Sequence, residues 1–180
     1  SGGHPTSLIV EHEQEEAMPE NLDTFYQNLH TMQSLCTGAG VKVALLDTGV
    51  NTDVLGTDIF TGFDFAGAWR YADDASGDYS DVNGHGTEVA SIIRSGSGQG
   101  VAQDADIMAL RVFDDTDSTS DSILADAIRY AVDNQARILT LPFTIAVLGD
   151  QVADAINYAV DKGAILITAA GNSGEEILEA

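Results

Sequence analysis

Val41-Lys42-Val43-Ala44-Leu45-Leu46-Asp47-Thr48-Gly49 is the stretch whose reading decides the fold. Its first six residues form a short, mostly apolar, β-prone run. No alternation marks one face as wet, so it reads as a buried central strand. It delivers Asp47-Thr48-Gly49 at its C-terminal end. In open α/β sheets that edge is where binding and catalytic groups gather. Taken alone, an aspartate there is as readily a turn cap.

Working toward the C-terminus, strand and helix signals alternate. Ile59 to Phe65 is a short apolar strand candidate. A loop rich in Asp, Gly, Ser and Tyr follows, with Trp69 and Tyr71 available to pack under it. After His85 a helix carries Val89, Ala90, Ile92 and Ile93, and it stops in Ser95-Gly96-Ser97-Gly98-Gln99-Gly100. Asp106 to Val112 is another strand. From Ser122, Ile123, Leu124, Ala127, Ile128, Ala131 and Val132 form a helical stripe. Ile138 to Phe143 is a strand that Pro142 ends or confines to an edge, because proline has no N–H for a ladder. Gln151 to Lys162 repeats the helical stripe, with Gly163 as a C-cap. Ala164 to Ala170 is expected to be a last buried strand. The alternation predicts an α/β fold, a three-layer, doubly wound, mostly parallel sheet with helices on both faces.

Working toward the N-terminus, residues 1–38 read as a separate acidic segment and 39–180 as the main domain. Glu11-His12-Glu13-Gln14-Glu15-Glu16 is a solvated run. After the possible cap Asn21, Leu22, Phe25, Tyr26, Leu29 and Met32 fall at helical spacing, which predicts a docked amphipathic helix ending before Thr37. His12 and His30 read as surface histidines without a ligand cluster.

Composition narrows the function. The 180 residues suffice for one domain with a buried core, and 44 % hydrophobic residues make it globular. Seven Lys and Arg against 29 Asp and Glu give a net charge of −22, which excludes phosphate-driven nucleic-acid binding. The acidity fits solubility or salty surroundings; cation binding or a basic partner are the sharper readings. One cysteine, Cys36, rules out a disulfide within the chain. No stretch is long and apolar enough to cross a bilayer, so no membrane partner is expected. The first residues lack the basic start and apolar core of a signal peptide.

The chemistry-bearing stretch is Asp81-Val82-Asn83-Gly84-His85-Gly86-Thr87-Glu88-Val89-Ala90. It presents an imidazole at the first turn of a helix, between two glycines. A histidine at a helix start is, by itself, more often a cap or a surface residue. It gains weight from Asp47 at a strand end and from Asn172, which follows a strand in the glycine-flanked turn Gly171-Asn172-Ser173-Gly174. Histidine suits a general base because its pKa lies near neutrality.

Four motifs, in order, resemble the subtilases, the subtilisin-like serine proteases. They are Leu45-Leu46-Asp47-Thr48-Gly49-Val50, Asn83-Gly84-His85-Gly86-Thr87-Glu88-Val89-Ala90, Gly100-Val101-Ala102 with Leu110-Arg111-Val112, and Ala169-Ala170-Gly171-Asn172-Ser173-Gly174. The resemblance covers about Gly38 to Gly174. It implies a subtilisin-like fold, incomplete at its C-terminal side, with residues 39–180 the N-terminal portion of the catalytic domain. It places Asp47 in the orienting role and His85 in the base role. It makes Asn172 a donor to the oxyanion, an interaction worth about 3–4 kcal/mol in subtilisin itself. The family's nucleophile lies on a later helix, after a Gly-Thr-Ser motif, and no serine of this chain fits it. The implied partners are a serine-bearing C-terminal segment and a peptide or protein substrate, and the implied location is outside the cell.

Several positions depart from the family pattern. Glu88 stands where a second histidine is common, and Gln103 replaces a usual proline. Pro142-Phe143-Thr144 replaces Ser-Leu-Gly on the strand that pairs with substrate, and Asp117-Ser118-Thr119 replaces Gly-Ser-Gly on the opposite wall. Both cleft walls are thus altered. No cofactor is certain. Calcium is common in the family, but its longer loop is shortened here to Ser95–Gly100, and Gly56 sits about where a ligand aspartate belongs. Asp73, Asp74, Asp78 and Asp81 crowd one loop as either a weak calcium site or solvated charge. Three functions therefore stand open. One is a serine endopeptidase completed by the serine-bearing segment. Another is a catalytically inactive pseudoprotease that binds or regulates proteins. The third is an aspartic protease built on Asp47-Thr48-Gly49, which leaves His85 and Asn172 without a role.

Overall fold

The computed structural model describes residues 8–9, 22–56, 61–68, 79–81, 83–96, 100–145 and 147–171. In chain order the elements are β1 (Leu8–Ile9), α1 (Leu22–Leu35), β2 (Lys42–Asp47), α2 (Thr52–Leu55), β3 (Thr61–Asp64) and α3 (Phe65–Ala68). They continue with α4 (His85–Ile93), β4 (Asp106–Arg111), β5 (Ser118–Thr119), α5 (Asp121–Asp133), β6 (Ile138–Leu141), α6 (Asp150–Asp161) and β7 (Ile165–Thr168). Five strands form a parallel sheet in the order β3-β4-β2-β6-β7, so β2 is central. β1 pairs antiparallel with β5 in a separate ribbon.

Alternation along the strands divides the core between two faces. Ala44 and Leu46 of β2, with Met108 and Leu110 of β4, join Leu124, Ala127, Ile128 and Ala131 of α5 and Val152, Ala155 and Ala159 of α6. Val43, Leu45, Ile107 and Ala109 face the other way, onto Ala90 of α4 and Leu55 of α2. A strand wet on neither side is apolar through its covered length, which is why Val43–Leu46 shows no alternation in sequence, while Lys42 stands at the less buried start of the strand. Leu110 is fully buried in the larger cluster. Leu110→Ala is expected to destabilise the sheet domain by about 3–4 kcal/mol through lost burial and a residual cavity, read as a lowered midpoint of urea unfolding.

Helix starts follow from their caps. Ser120 accepts from the Ile123 N–H at 3.3 Å, so α5 begins one residue before the predicted Ser122. Gly149 opens α6 without a side-chain cap. Asp121 of α5 reaches across instead and accepts from the Gln151 N–H at 3.2 Å, tying the two helices together.

Some expectations need correction. The last strand is not buried: Ile165 and Ile167 of β7 are 60 % and 52 % exposed. β7 is an edge strand whose Leu166 packs on the core, while the face carrying Ile165 and Ile167 meets no cover among the described residues. The predicted docking stripe of α1 is also thinner than expected. Leu29 is buried, but Met32 and Tyr26 are exposed. The side chains of Leu22 and Phe25 lie outside the described residues, as do His12, Trp69, Tyr71 and the run Glu11–Glu16. His30 and Cys36 are exposed. β6 ends at Leu141, immediately before Pro142. Among the described residues no helix is long and apolar enough to cross a membrane.

Candidate active site

The parallel register brings three strand ends level, with Asp47 of β2 beside Arg111 of β4 and Arg111 beside Asp64 of β3. Asp47 is 1 % exposed. Its Oδ1 accepts from the Thr48 N–H at 2.6 Å and lies 2.8 Å from His85 Nδ1. Its Oδ2 has no partner among the described residues. Arg111 offers no competition for Asp47, because its guanidinium turns to Asp64 and Asp115.

His85 opens α4, and two glycines let that helix come so close to the end of β2. A Cβ on Gly86 would sit 2.1 Å from the Gly49 carbonyl and 3.1 Å from Asp47 Oδ1. Gly49 itself has φ of +113°, where a side chain would strike the Tyr79 and Ser80 carbonyls. Helix start and strand end are therefore in backbone contact, and the imidazole meets the carboxylate directly. The hydrogen bond to Asp47 raises the His85 pKa; burial opposes it, and the charges of Asp47, Glu88 and Asp81 reinforce it. With Nδ1 engaged by Asp47, Nε2 is the nitrogen at which base chemistry takes place. The ring remains 23 % exposed.

Asp81 has a role that sequence reasoning did not assign. Its Oδ1 accepts from the Thr48 hydroxyl and from the N–H groups of Asn83 and Gly84 at 2.9–3.0 Å. Its Oδ2 accepts from the N–H and hydroxyl of Thr87. Gly84, the N-cap residue of α4, has no side chain to cap with, and Asp81 supplies the missing acceptor. Burial would raise the Asp81 carboxyl, but bonds from Gly84, Thr87 and Thr48 outweigh it and hold the pKa below the ordinary carboxylate value. The signal available in sequence was an Asx residue three places before a glycine cap. Asp81 is thus bonded by protein donors on both oxygens rather than left as solvated charge. Asp73, Asp74 and Asp78 lie outside the described residues, and among those described no three His, Cys, Asp or Glu residues gather around a point.

One of the two segments expected to wall the cleft is tied to this pair. Asn83 accepts from the His85 N–H and donates to Asp117 at 2.6 Å, linking the helix start to the turn before β5. Asp117 has φ of +56°, the left-handed conformation that glycine takes freely and aspartate tolerates. The wall therefore keeps a glycine-like backbone while carrying a carboxylate. In the other expected wall Thr144 is exposed, and its Cγ2 lies 3.2 Å from where a Cβ on Gly171 would stand. Gly171 has φ of +81°, and Asn172, predicted to be the oxyanion donor, lies outside the described residues. Ser91 is turned back onto the Glu88 carbonyl of its own helix. Of the three predicted site residues, the structure brings together Asp47 and His85.

A family description, the Subtilase family, matches residues 38–179. Thermitase of Thermoactinomyces vulgaris is 33 % identical over 148 residues, covering 78 % of this chain and 50 % of thermitase. Subtilisin of Bacillus sp. (strain TA39) is 33 % identical over 171 residues, covering 88 % of this chain and 40 % of that protein. The crystal structure of a cold adapted subtilisin-like serine proteinase superposes with a TM-score of 0.64 at 29 % identity, over 77 % of this chain and 49 % of that one. The chain thus spans about half the length of these relatives.

Proposed function

The chain belongs to the subtilase family, and from that premise we propose that it is the aspartate- and histidine-bearing part of a serine endopeptidase whose serine lies outside residues 1–180. The observation that carries this reading is the 2.8 Å contact between His85 Nδ1 and a fully buried Asp47 at the carboxyl end of the central strand. In the reaction, His85 Nε2 takes the proton of the serine hydroxyl as its oxygen attacks the scissile carbonyl. Asp47 holds the Nδ1–H tautomer and stabilises the imidazolium. The Asn172 amide donates to the developing oxyanion. His85 then gives its proton to the departing amine, and water repeats the cycle on the acyl-enzyme. The chain by itself is inactive in this scheme.

Two surfaces support the reading. The edge of β7, with Ile165 and Ile167 exposed, is the face on which the serine-bearing segment docks, since uncovered apolar strand edges seek a partner. β5 accepts an extended segment by antiparallel pairing, with Leu8 opposite Thr119 and Ile9 opposite Ser118. A peptide substrate beside His85 pairs in the same manner. Action outside the cell, and any calcium held by carboxylates beyond those described, belong to this reading by resemblance. The alternative is a pseudoprotease that binds or regulates proteins, and the Thr144 side chain beside Gly171 favours it, because it narrows the cleft next to the oxyanion turn.

The test is an intact-mass spectrum of the native protein after reaction with a fluorophosphonate. One adduct on a serine beyond residue 180 is the expected result. A folded protein that carries the remaining segment and takes no adduct would instead make it a pseudoprotease.

A further inference from the structure

We propose that Asp81 is a positioning residue for the Asp47–His85 pair, fixing the direction of the hydrogen bonds that hold the end of β2 against the first turn of α4. Two threonine hydroxyls mediate the effect, and each has a single proton. Thr48 donates its proton to Asp81 and accepts from the Gly86 N–H at 3.0 Å. Thr87 donates its proton to Asp81 and accepts from the Asn51 N–H at 3.0 Å. Thr48 follows Asp47 directly, and Gly86 and Thr87 follow His85 directly. Each hydroxyl can receive an N–H from across the strand–helix boundary only while its own proton goes elsewhere. Asp81 takes both protons, so one carboxylate sets both bridges.

The geometry makes the requirement one of charge and acceptor capacity, not of volume. Backbone N–H groups point at both oxygens: those of Asn83 and Gly84 at Oδ1, that of Thr87 at Oδ2. These donors cannot reverse. In Asp81→Asn the amide NH₂ must face at least one of them in either flip. An isosteric amide is therefore disruptive here, whereas a space-filling role would tolerate it. The carboxylate also acts on His85 through its charge, together with those of Asp47 on β2 and Glu88 on α4.

The proposal rests on the assignment of His85 as the base, and the experiment separates the two. In the complete protein, Asp81→Asn and the parent are compared by kcat and KM on a peptide substrate and by NMR titration of the His85 ring. Expected for Asp81→Asn are a fall in kcat of roughly 10²-fold with KM nearly unchanged, as for a small misplacement of a catalytic group, and a His85 midpoint shifted to lower pH. A kcat within twofold of the parent with an unmoved midpoint overturns the proposal. So does lost activity with an unmoved midpoint, since that reports damage elsewhere. If the parent hydrolyses nothing, the protease reading fails and the His85 midpoint alone decides the role of Asp81. If Asp81→Asn does not fold, Thr48→Val and Thr48→Ser take its place. Valine should reproduce the lower midpoint and the lost rate and serine should restore both; equal behaviour of the two overturns the proposal.

Discussion

His85→Ala in the complete catalytic domain is expected to lower kcat by about 10⁶-fold, the size of the effect in the relative subtilisin, while KM and the unfolding midpoint change little. The size follows from what is removed. In the proposed mechanism, without an imidazole the serine proton has no acceptor within reach, and the departing amine has no donor. What remains is substrate binding and the oxyanion donor, which act without the base. The fold should survive because the ring is partly exposed and α4 is held by Asp81, Thr48 and the Gly86–Gly49 backbone contact, none of which uses the imidazole. Steady-state kinetics with a chromogenic peptide, alongside urea unfolding, checks both halves. A variant that hydrolysed at the parent rate would remove His85 from the mechanism.

Asp47→Asn is expected to cost on the order of 10⁴-fold in kcat, the size of the loss when the triad aspartate is removed in subtilisin. The Asp47 Oδ1 position accepts from the fixed Thr48 N–H as well as from His85. An asparagine that keeps its oxygen there preserves the tautomer but loses the charge that stabilises the imidazolium. Its NH₂ then lies at the buried Oδ2 position, where no partner stands among the described residues. The pH profile separates this loss from misfolding. His85 has a raised pKa, chiefly through its bond to Asp47, and only the neutral ring acts as base. Removing the carboxylate lowers that pKa, so the acid limb of kcat/KM should move to lower pH even as the plateau falls. The same shift bears on stability. A raised histidine pKa contributes stability below its unfolded value and loses it as pH rises through the folded value, so Asp47→Asn should flatten that part of the unfolding curve.

Much of the architecture was legible because it is local. The continuous apolar run of β2 and the helical stripes of α5 and α6 each bury a face whose period is written in the sequence. Pro142 marks the end of β6 for the same reason, since it lacks an N–H. β7 is exposed where its sequence predicts burial, because an apolar run reports what a strand can bury and not which neighbours cover it. The stripe of α1 failed likewise at Met32. The role of Asp81 is not legible in sequence, because a carboxylate in an acidic loop looks the same whether it meets water or five donors.

The sequence by itself determined the longer strands and helices of the sheet and singled out Asp47, His85 and Asn172 as candidates, because periodicity, glycine placement and residue type are properties of the chain. Motif order likewise carries the resemblance to the family. Only the tertiary structure decided that Asp47 and His85, 38 residues apart, stand 2.8 Å from each other, that Arg111 turns away from them, and that Asp81 holds both ends of the joint. Those facts depend on strand register and on a helix pressed against a glycine carbonyl. They arise from packing between distant segments, which sequence spacing does not encode.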